Sequence, residues 1–212
     1  MLEDLNGQVA VVTGGARGLG LSMAGALARL GVHVALLDML ADVTDSAKTL
    51  AAAGVKTLGL RVDVTGEDAL AAAFAEVSRE LGSPTVLVNA AGITTWEDSL
   101  EGTKASWSKV IEVNLTGTYL TCQAFGRACR DAGHGGAIVN ISSMSSGYIL
   151  SDMTRQFTAA NPELAEQWRG LIPAGRMGEP ADLDGLVALL CSSASSYLTG
   201  QSVVIDGGYS AI

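Results

Sequence analysis

Short runs of consecutive apolar residues alternate along the chain with longer stretches in which apolar residues recur every three or four positions. The runs at 8–13 (QVAVVT), 32–37 and 137–141 are rich in β-branched residues, which is typical of strands buried on both faces of a parallel sheet. The longest amphipathic stretch, about 103–132, predicts a helix. This alternation predicts an α/β fold, a doubly wound parallel sheet of the Rossmann type in a single domain over residues 1–212.

The alternation stops after Ser143. A polar helical stretch at 154–170 comes soon after the fifth strand. The alternation of strands and helices before Ser143 would predict one more helix and one more strand between the two, and the sequence contains neither. The predicted strands are 8–13, 32–37, 55–61, 85–88, 137–141 and 202–205, and the predicted helices are 21–30, 43–53, 67–81, 103–132, 154–170 and 181–192.

Composition and charge argue against several classes of binding partner, namely nucleic acids, membranes and metal ions. A net charge of −9 argues against binding to nucleic acid or to anionic membranes, and no apolar run is long enough to span a bilayer. The N-terminal residues are acidic rather than basic and apolar, and the three cysteines form no CxxC motif, so we expect a cytoplasmic protein with reduced thiols. The two histidines have no carboxylate cluster nearby, and we expect no metal site.

A glycine-rich loop at 13–20 (TGGARGLG) lies between the first predicted strand and the first helix. Glycines at 14, 18 and 20 would let the backbone approach a pyrophosphate, and the helix N-terminus would supply N–H groups. The other interpretation is a plain tight turn. The strand–loop–helix setting favours a dinucleotide site that includes Gly14, Arg17, Gly18, Leu19 and Gly20.

Asp38 stands at the end of the second predicted strand, 18 residues beyond Gly20. A carboxylate there can accept hydrogen bonds from the ribose hydroxyls of a dinucleotide and repel a 2′-phosphate. Arg17 favours NADP instead, because a basic residue could bind that 2′-phosphate. Since Met39 and Leu40 after Asp38 are apolar, the sequence favours NAD as the cofactor.

These motifs together resemble the short-chain dehydrogenase/reductase family along nearly the whole chain. The loop at 13–20 matches its TGxxxGxG motif, residues 89–92 (NAAG) are similar to its NNAG motif, and segments 173–176 and 198–208 resemble its C-terminal signature. The resemblance implies cofactor contacts near the adenine, at the sheet and at the nicotinamide carboxamide. The corresponding residues are Asp63, Val64, Asn89, Ala90, Gly92, Ile149 and Ser151.

The resemblance also implies two catalytic roles. Asn114 matches the asparagine that holds a proton-relay water, and Ser143 matches the serine that orients the substrate oxygen. Taken alone, Asn114 could instead be a helix-kink residue and Ser143 a strand-end cap.

The chain departs from the family in its general base. The family uses a tyrosine followed four residues later by a lysine, whose charge lowers the pKa of the tyrosine. No tyrosine here has lysine at that spacing, and no lysine follows Lys109. Tyr148 is a poor substitute, because Asp152 four residues later would raise its pKa and because its position matches the nicotinamide loop.

The family pattern places about 40 more residues between Ser143 and Tyr148, which would bring the chain near the usual single-domain length of about 250. Those residues would form the catalytic helix, the sixth strand and much of the interface of a homo-oligomer. Either the protein truly lacks them, or the 212-residue sequence omits a segment that the protein contains. The second explanation is favoured, because the deletion would leave strand backbone groups unpaired inside the sheet.

The sequence thus predicts an NAD-dependent oxidoreductase that transfers hydride between the cofactor and a secondary alcohol or ketone. The polar helical stretch at 154–168 favours a polyol or sugar substrate. Two alternatives stay open. One is a non-catalytic NAD-binding protein, if the deletion is real, and the other is a 3-oxoacyl-carrier-protein reductase, against which Asp38 and the acidic net charge argue.

Overall fold

The computed structural model describes residues 2–95, 97–98, 100–143 and 148–211, without the side chains of Asp152, Met153 and Gln156. Within these ranges, none of the helices has both the length and the apolar character needed to cross a membrane.

A parallel sheet forms the centre of the fold and confirms the predicted α/β class. Its strands are β1 (Val9–Thr13), β2 (His33–Asp38), β3 (Thr57–Arg61), β4 (Val86–Asn89) and β5 (Ala137–Asn140). They lie in the order β3-β2-β1-β4-β5, so the chain reverses its direction of winding between β1 and β4. In open sheets of this kind, ligands bind at that reversal, beyond the carboxyl ends of the strands.

The helices follow the predicted positions with two differences. The stretch at 103–132 is continuous but contains a π-helical segment, Glu112–Gly117, and the stretch at 154–170 is two helices, because Asn161 leaves the helical conformation before Pro162. The helices are α1 (Gly18–Arg29), α2 (Val43–Leu50), α3 (Glu67–Glu80), α4 (Lys104–Ile111), α5 (Thr118–Ala132), α6 (Asp152–Ala160), α7 (Pro162–Gly170) and α8 (Asp184–Cys191).

Two hydrophobic cores cover the two faces of the sheet. Alternate residues of each strand point to opposite faces, so Val12 and Leu36 pack in the core with α1, α2 and α8. Val11 and Leu37 pack on the other face with α3 and α5. Helices on both faces explain why the strands are continuous apolar runs rather than alternating ones.

The strand predicted at 202–205 is wrong: this segment has no strand pairing with any described strand. Val203 and Val204 are 48% and 60% exposed, and Ile138 of β5 is 44% exposed. A β-branched run becomes a strand only where another strand lies alongside it, and the element that the family pattern places between β5 and this run is missing. Residues 144–147, at the junction, lie outside the described part of the chain.

Candidate functional site

The glycine loop between β1 and α1 is packed too tightly for side chains. Gly14 has a φ of +63°, and a Cβ atom there would lie 2.7 Å from the carbonyl oxygen of Ala90. A Cβ atom at Gly20 would lie 2.2 Å from the carbonyl oxygen of Gly14. The loop therefore folds against itself and against the end of β4, which leaves its outer backbone open to a ligand.

Helix α1 begins at this loop and turns its first residues to the cleft. Gly18, Leu19 and Gly20 form its first turn and line the cleft, as does the exposed Arg17 before it. First-turn amides have no partner within their own helix, and the helix dipole is positive at this end. Both properties suit a pyrophosphate.

Thr13 ties the loop to the neighbouring strand. Its hydroxyl oxygen accepts hydrogen bonds from the backbone N–H groups of Ala90 and Ala91, each at 3.2 Å. Thr13 and Asn89 are also register partners at the ends of β1 and β4. The two strand ends that flank the reversal of winding are thus held in one fixed arrangement.

Asp38 lies at the end of β2 and lines the cleft. The backbone N–H of Ala16 donates to its Oδ2 at 3.0 Å, and that of Leu40 donates to its Oδ1 at 3.0 Å. The carboxylate is therefore fixed beside the glycine loop, and each oxygen keeps a lone pair for a further donor such as a ribose hydroxyl.

Arg61 is a basic residue near Asp38 that the sequence reasoning missed. It ends β3, pairs in register with Asp38, and donates from Nε to the carbonyl oxygen of Met39 at 2.9 Å. The signal was available in the strand order, because neighbouring parallel strands end side by side. Arg61 therefore places positive charge beside Asp38 at the ends of β2 and β3, although its own side chain is not part of the cleft lining.

Asp63 and Val64 follow β3 and line the cleft. Oδ1 of Asp63 accepts from the backbone N–H of Thr65 at 2.9 Å and from its hydroxyl at 2.8 Å, so the side chain stabilises a turn. Val64 is buried, and a Cβ atom at Gly117 would lie 2.6 Å from its Cγ2. Val64 therefore packs tightly on the π-helical segment.

Asn89 is the one candidate residue that does not line the cleft. It is 3% exposed and donates from Nδ2 to Oδ1 of Asn140 at 2.9 Å and to Sγ of Cys122 at 3.2 Å. Burial raises the pKa of the Cys122 thiol, and the hydrogen bond from Asn89 offsets part of that rise. Asn89 thus links β4 to β5 and α5 through buried hydrogen bonds, and it contributes to the site by holding these elements together rather than by facing the cleft.

Asn114 lies in the π-helical segment and is fastened to the loop after β4. Its Oδ1 accepts from the backbone N–H of Ile93 and its Nδ2 donates to the carbonyl oxygen of Ile93, both at 2.9 Å. Both amide atoms are used in this pair, and the backbone carbonyl oxygen of Asn114 accepts from the Thr118 hydroxyl at 2.8 Å. Single π-helical turns often mark functional sites.

Ser143, Ile149 and Ser151 also line the cleft. Ile149 forms an isolated parallel bridge with Gly178, and Ser151 forms a capping box with Thr154 at the start of α6. The structure therefore brings every candidate cofactor and catalytic residue except Asn89 to one cleft.

Tyr148 lies in an aromatic cluster. Its ring stacks on Trp168 at 4.4 Å between centroids and meets Tyr209 edge-on at 5.6 Å. Burial raises the pKa of Tyr148, and the Tyr209 hydroxyl adds to the rise. The direction agrees with the expectation, and the contribution expected from Asp152 stays a prediction because its side chain lies outside the described part. A raised pKa makes Tyr148 a poor base.

The cleft has a volume of about 2560 Å³ and extends well beyond the glycine loop. It runs along the open edge of β5 and reaches the unpaired segment at 202–205. Among the described residues, neither the outer edge of β5 nor the segment at 202–205 has a neighbouring strand.

A family comparison decides how this arrangement is classified. The model of the short chain dehydrogenase family matches residues 8–156. The chain belongs to the short-chain dehydrogenase/reductase family. A second model, of the enoyl-(acyl carrier protein) reductase type, matches residues 143–210.

Curated relatives of this short-chain dehydrogenase/reductase include two polyol enzymes. The galactitol 2-dehydrogenase (L-tagatose-forming) of Cereibacter sphaeroides is 33% identical over 97% of this chain and 96% of its own length. The NAD-dependent glycerol dehydrogenase of Listeria innocua is 31% identical over 97% and 95%. The first alignment spans 247 positions and this chain has 212 residues, so at least 35 positions of the alignment have no residue here.

Solved structures and a third relative widen the range of activities among similar proteins. A short-chain type dehydrogenase/reductase from Mycobacterium marinum is 31% identical with a TM-score of 0.90, over 100% of this chain and 98% of its own. A candidate NAD(P)-dependent gluconate 5-dehydrogenase from Beutenbergia cavernae, with NADP bound at low occupancy, is 28% identical over 100% of each chain, with a TM-score of 0.91. The 3-oxoacyl-(acyl-carrier-protein) reductase of Pseudomonas aeruginosa is 31% identical over 97% and 98%.

The family relation supports an oxidoreductase of the dehydrogenase type with a site for a nicotinamide dinucleotide. Among the described residues, no three His, Cys, Asp or Glu side chains lie close enough together to hold a metal ion.

Proposed function

We propose that this chain is the dinucleotide-binding part of an NAD(H)-dependent dehydrogenase that acts on a secondary alcohol of a polyol or sugar. The observation that carries the cofactor assignment is Asp38, whose carboxylate is fixed beside the glycine loop by the N–H groups of Ala16 and Leu40. The relatives that act on galactitol and glycerol support the substrate class.

Each part of a dinucleotide can be assigned to residues that line the cleft. The first turn of α1 would hold the pyrophosphate, Asp38 the ribose hydroxyls, and Asp63 with Val64 the adenine side. Ile149 and Ser151 would bind the carboxamide. A bound nicotinamide would supply the acceptor for the hydride that leaves the alcohol carbon.

The substrate end of the site is incomplete in this chain. Ser143 would hydrogen-bond the alcohol oxygen, and Asn114, whose side-chain amide pairs with the backbone of Ile93, would hold the proton-relay water. The proton of the alcohol needs a base, and no tyrosine with lysine four residues later is present to take it. We propose that the base belongs to a segment that the 212 residues do not include.

The second candidate is an NAD-binding protein without catalysis. The position of Tyr148 favours it, because the tyrosine nearest to Ser143 along the chain is stacked on Trp168 and has a raised pKa. If the natural protein has only these residues, this candidate takes first place.

The third candidate is a 3-oxoacyl-carrier-protein reductase, supported by the Pseudomonas relative. A net charge of −9 disfavours docking of an acidic carrier protein, and Asp38 disfavours NADPH.

Cofactor preference tests the proposal. We expect NADH to bind about tenfold to a hundredfold more tightly than NADPH, because a carboxylate next to a 2′-phosphate costs about 1–3 kcal/mol. The substitution Asp38→Ala should narrow this gap by weakening NADH and strengthening NADPH. Fluorescence titration of both reduced cofactors measures the two affinities.

The matched control is Arg61→Gln, which removes the neighbouring positive charge and keeps the carboxylate. It should weaken NADPH further and leave NADH nearly unchanged. Equal or tighter binding of NADPH by the unsubstituted chain would mean that Arg17 and Arg61 outweigh Asp38, and that the NAD assignment is wrong.

A further inference from the structure

A second pocket, separate from the dinucleotide cleft, lies between α6, α7 and the turn at 176–179. It has a volume of about 700 Å³, and its walls carry the side chains of Arg155, Arg169 and Arg176. Ala165 and Met177, which are 8% and 6% exposed, contribute apolar surface to its lining. Helix α6 separates the two spaces, because Ser151 and Thr154 line the cleft whereas Arg155 lines the pocket.

The arginines of this pocket are unusually concentrated. The chain has 13 lysines and arginines, and only three of them follow Arg130. All three line this pocket. Two glutamates, Glu166 and Glu179, line the pocket as well, so its charged side chains carry a net positive charge on a protein that is acidic as a whole. A net positive lining favours a ligand with negative charge.

Two of the three guanidinium groups can exchange their partners at little cost. Arg155 contacts Glu179 at 2.5 Å and Arg169 contacts Glu166, and the side chains of both arginines are about half exposed. Exposed ion pairs of this kind contribute little to stability, so a ligand anion can replace the glutamates.

Arg176 is the fixed member of the set. Its two terminal nitrogens donate to the two carboxylate oxygens of Asp182 at 2.7 and 2.8 Å, and it also donates to the carbonyl oxygen of Met177. This pairing holds the pKa of Asp182 at about 2, so the carboxylate stays charged and the guanidinium stays in place. Arg176 thus adds fixed positive charge to the lining, and the planar guanidinium groups of Arg155 and Arg169 match the oxygens of a carboxylate or phosphate.

We propose that this pocket binds a small organic anion, a phosphate ester or carboxylate with an apolar body. The anionic group would lie between Arg155 and Arg169, with Arg176 at its side, and the apolar body would contact Ala165 and Met177. The inference does not depend on the proposed dehydrogenase function, since it uses no residue of the cleft.

Isothermal titration calorimetry with phenyl phosphate tests this site at constant ionic strength, once without cofactor and once with saturating NADH, which by the proposed function binds at the glycine loop. We expect one binding site, tighter for phenyl phosphate than for inorganic phosphate, and no binding of phenol. Arg155→Gln and Arg169→Gln should each weaken phenyl phosphate at least tenfold, because each removes a charge-assisted hydrogen bond.

The matched control is Arg130→Gln, which removes an exposed arginine paired with Asp131 outside the pocket and should leave the affinity unchanged. Equal weakening by Arg130→Gln would mean general charge attraction and would overturn the proposal. It is also overturned if NADH abolishes the binding, if no binding is detected, or if phenol binds as tightly as phenyl phosphate.

Discussion

A polypeptide of only these 212 residues is expected to bind NADH and to show negligible oxidation of any polyol. The residues proposed to bind the nucleotide are present, whereas the tyrosine–lysine pair is absent. Loss of a positioned general base alone lowers rates by about 10²–10⁴. Absorbance at 340 nm with NAD⁺ and a set of polyols measures the turnover. The preparation must have a verified mass of 21.6 kDa.

Restoring the missing segment provides the positive arm of this experiment. The residues of the Cereibacter galactitol 2-dehydrogenase that have no counterpart here would be inserted between Ser143 and Tyr148. We expect galactitol oxidation to rise by at least about 10², and to be lost again when the tyrosine of the insert is replaced by phenylalanine. Robust turnover by the 212-residue chain itself would show that the base is already present.

The mass of the protein from its natural source separates the two explanations of the short sequence. A mass of 21.6 kDa would make the deletion real and favour the non-catalytic candidate. A mass several kDa higher would show that the sequence omits a segment.

The second large effect is expected for Gly20→Ala. The added Cβ atom would lie 2.2 Å from the carbonyl oxygen of Gly14, so the loop must move away from α1. We expect a loss of about 1–3 kcal/mol in the free energy of unfolding and a fall in NADH affinity of about tenfold to a hundredfold. Urea unfolding and fluorescence titration measure the two effects.

Gly126→Ala is the matched control, because Gly126 is also inside a helix but has open space where its Cβ atom would be. It should raise the free energy of unfolding by up to about 1 kcal/mol and leave NADH binding unchanged. If both alanine variants bind NADH like the unsubstituted chain, the glycine loop is not the dinucleotide site.

The fold around the glycine loop was predictable because its sequence signals are local. The continuous apolar runs of β1 and β2 and the glycines between β1 and α1 fix strand, loop and helix within about 30 residues. The strand order then brings Asp38 and Gly14 to the same cleft, as the α/β pattern requires.

The features that the sequence analysis predicted wrongly or missed depend on contacts between residues that are far apart in the sequence. Segment 202–205 has the composition of a strand, but it would form one only if another strand lay alongside it. The composition of four residues does not show whether such a strand is present. Arg61 was missed because its place beside Asp38 follows from the register of β2 and β3 and not from nearby sequence. The stacking of Tyr148 on Trp168 likewise joins residues 20 positions apart in the chain.

The position of α8 has a consequence for synthesis on the ribosome. Val187 and Cys191 of this helix cover the same face of the sheet as α1, and Asp184 binds Ser22 and Arg29 across more than 150 residues of chain. All five strands of the described sheet are therefore synthesised before α8, the last helix that packs on this face of the sheet. During that interval the apolar surface of β4 and β5 that α8 covers in the folded protein stays exposed, and exposed apolar surface of this kind favours aggregation of a nascent chain.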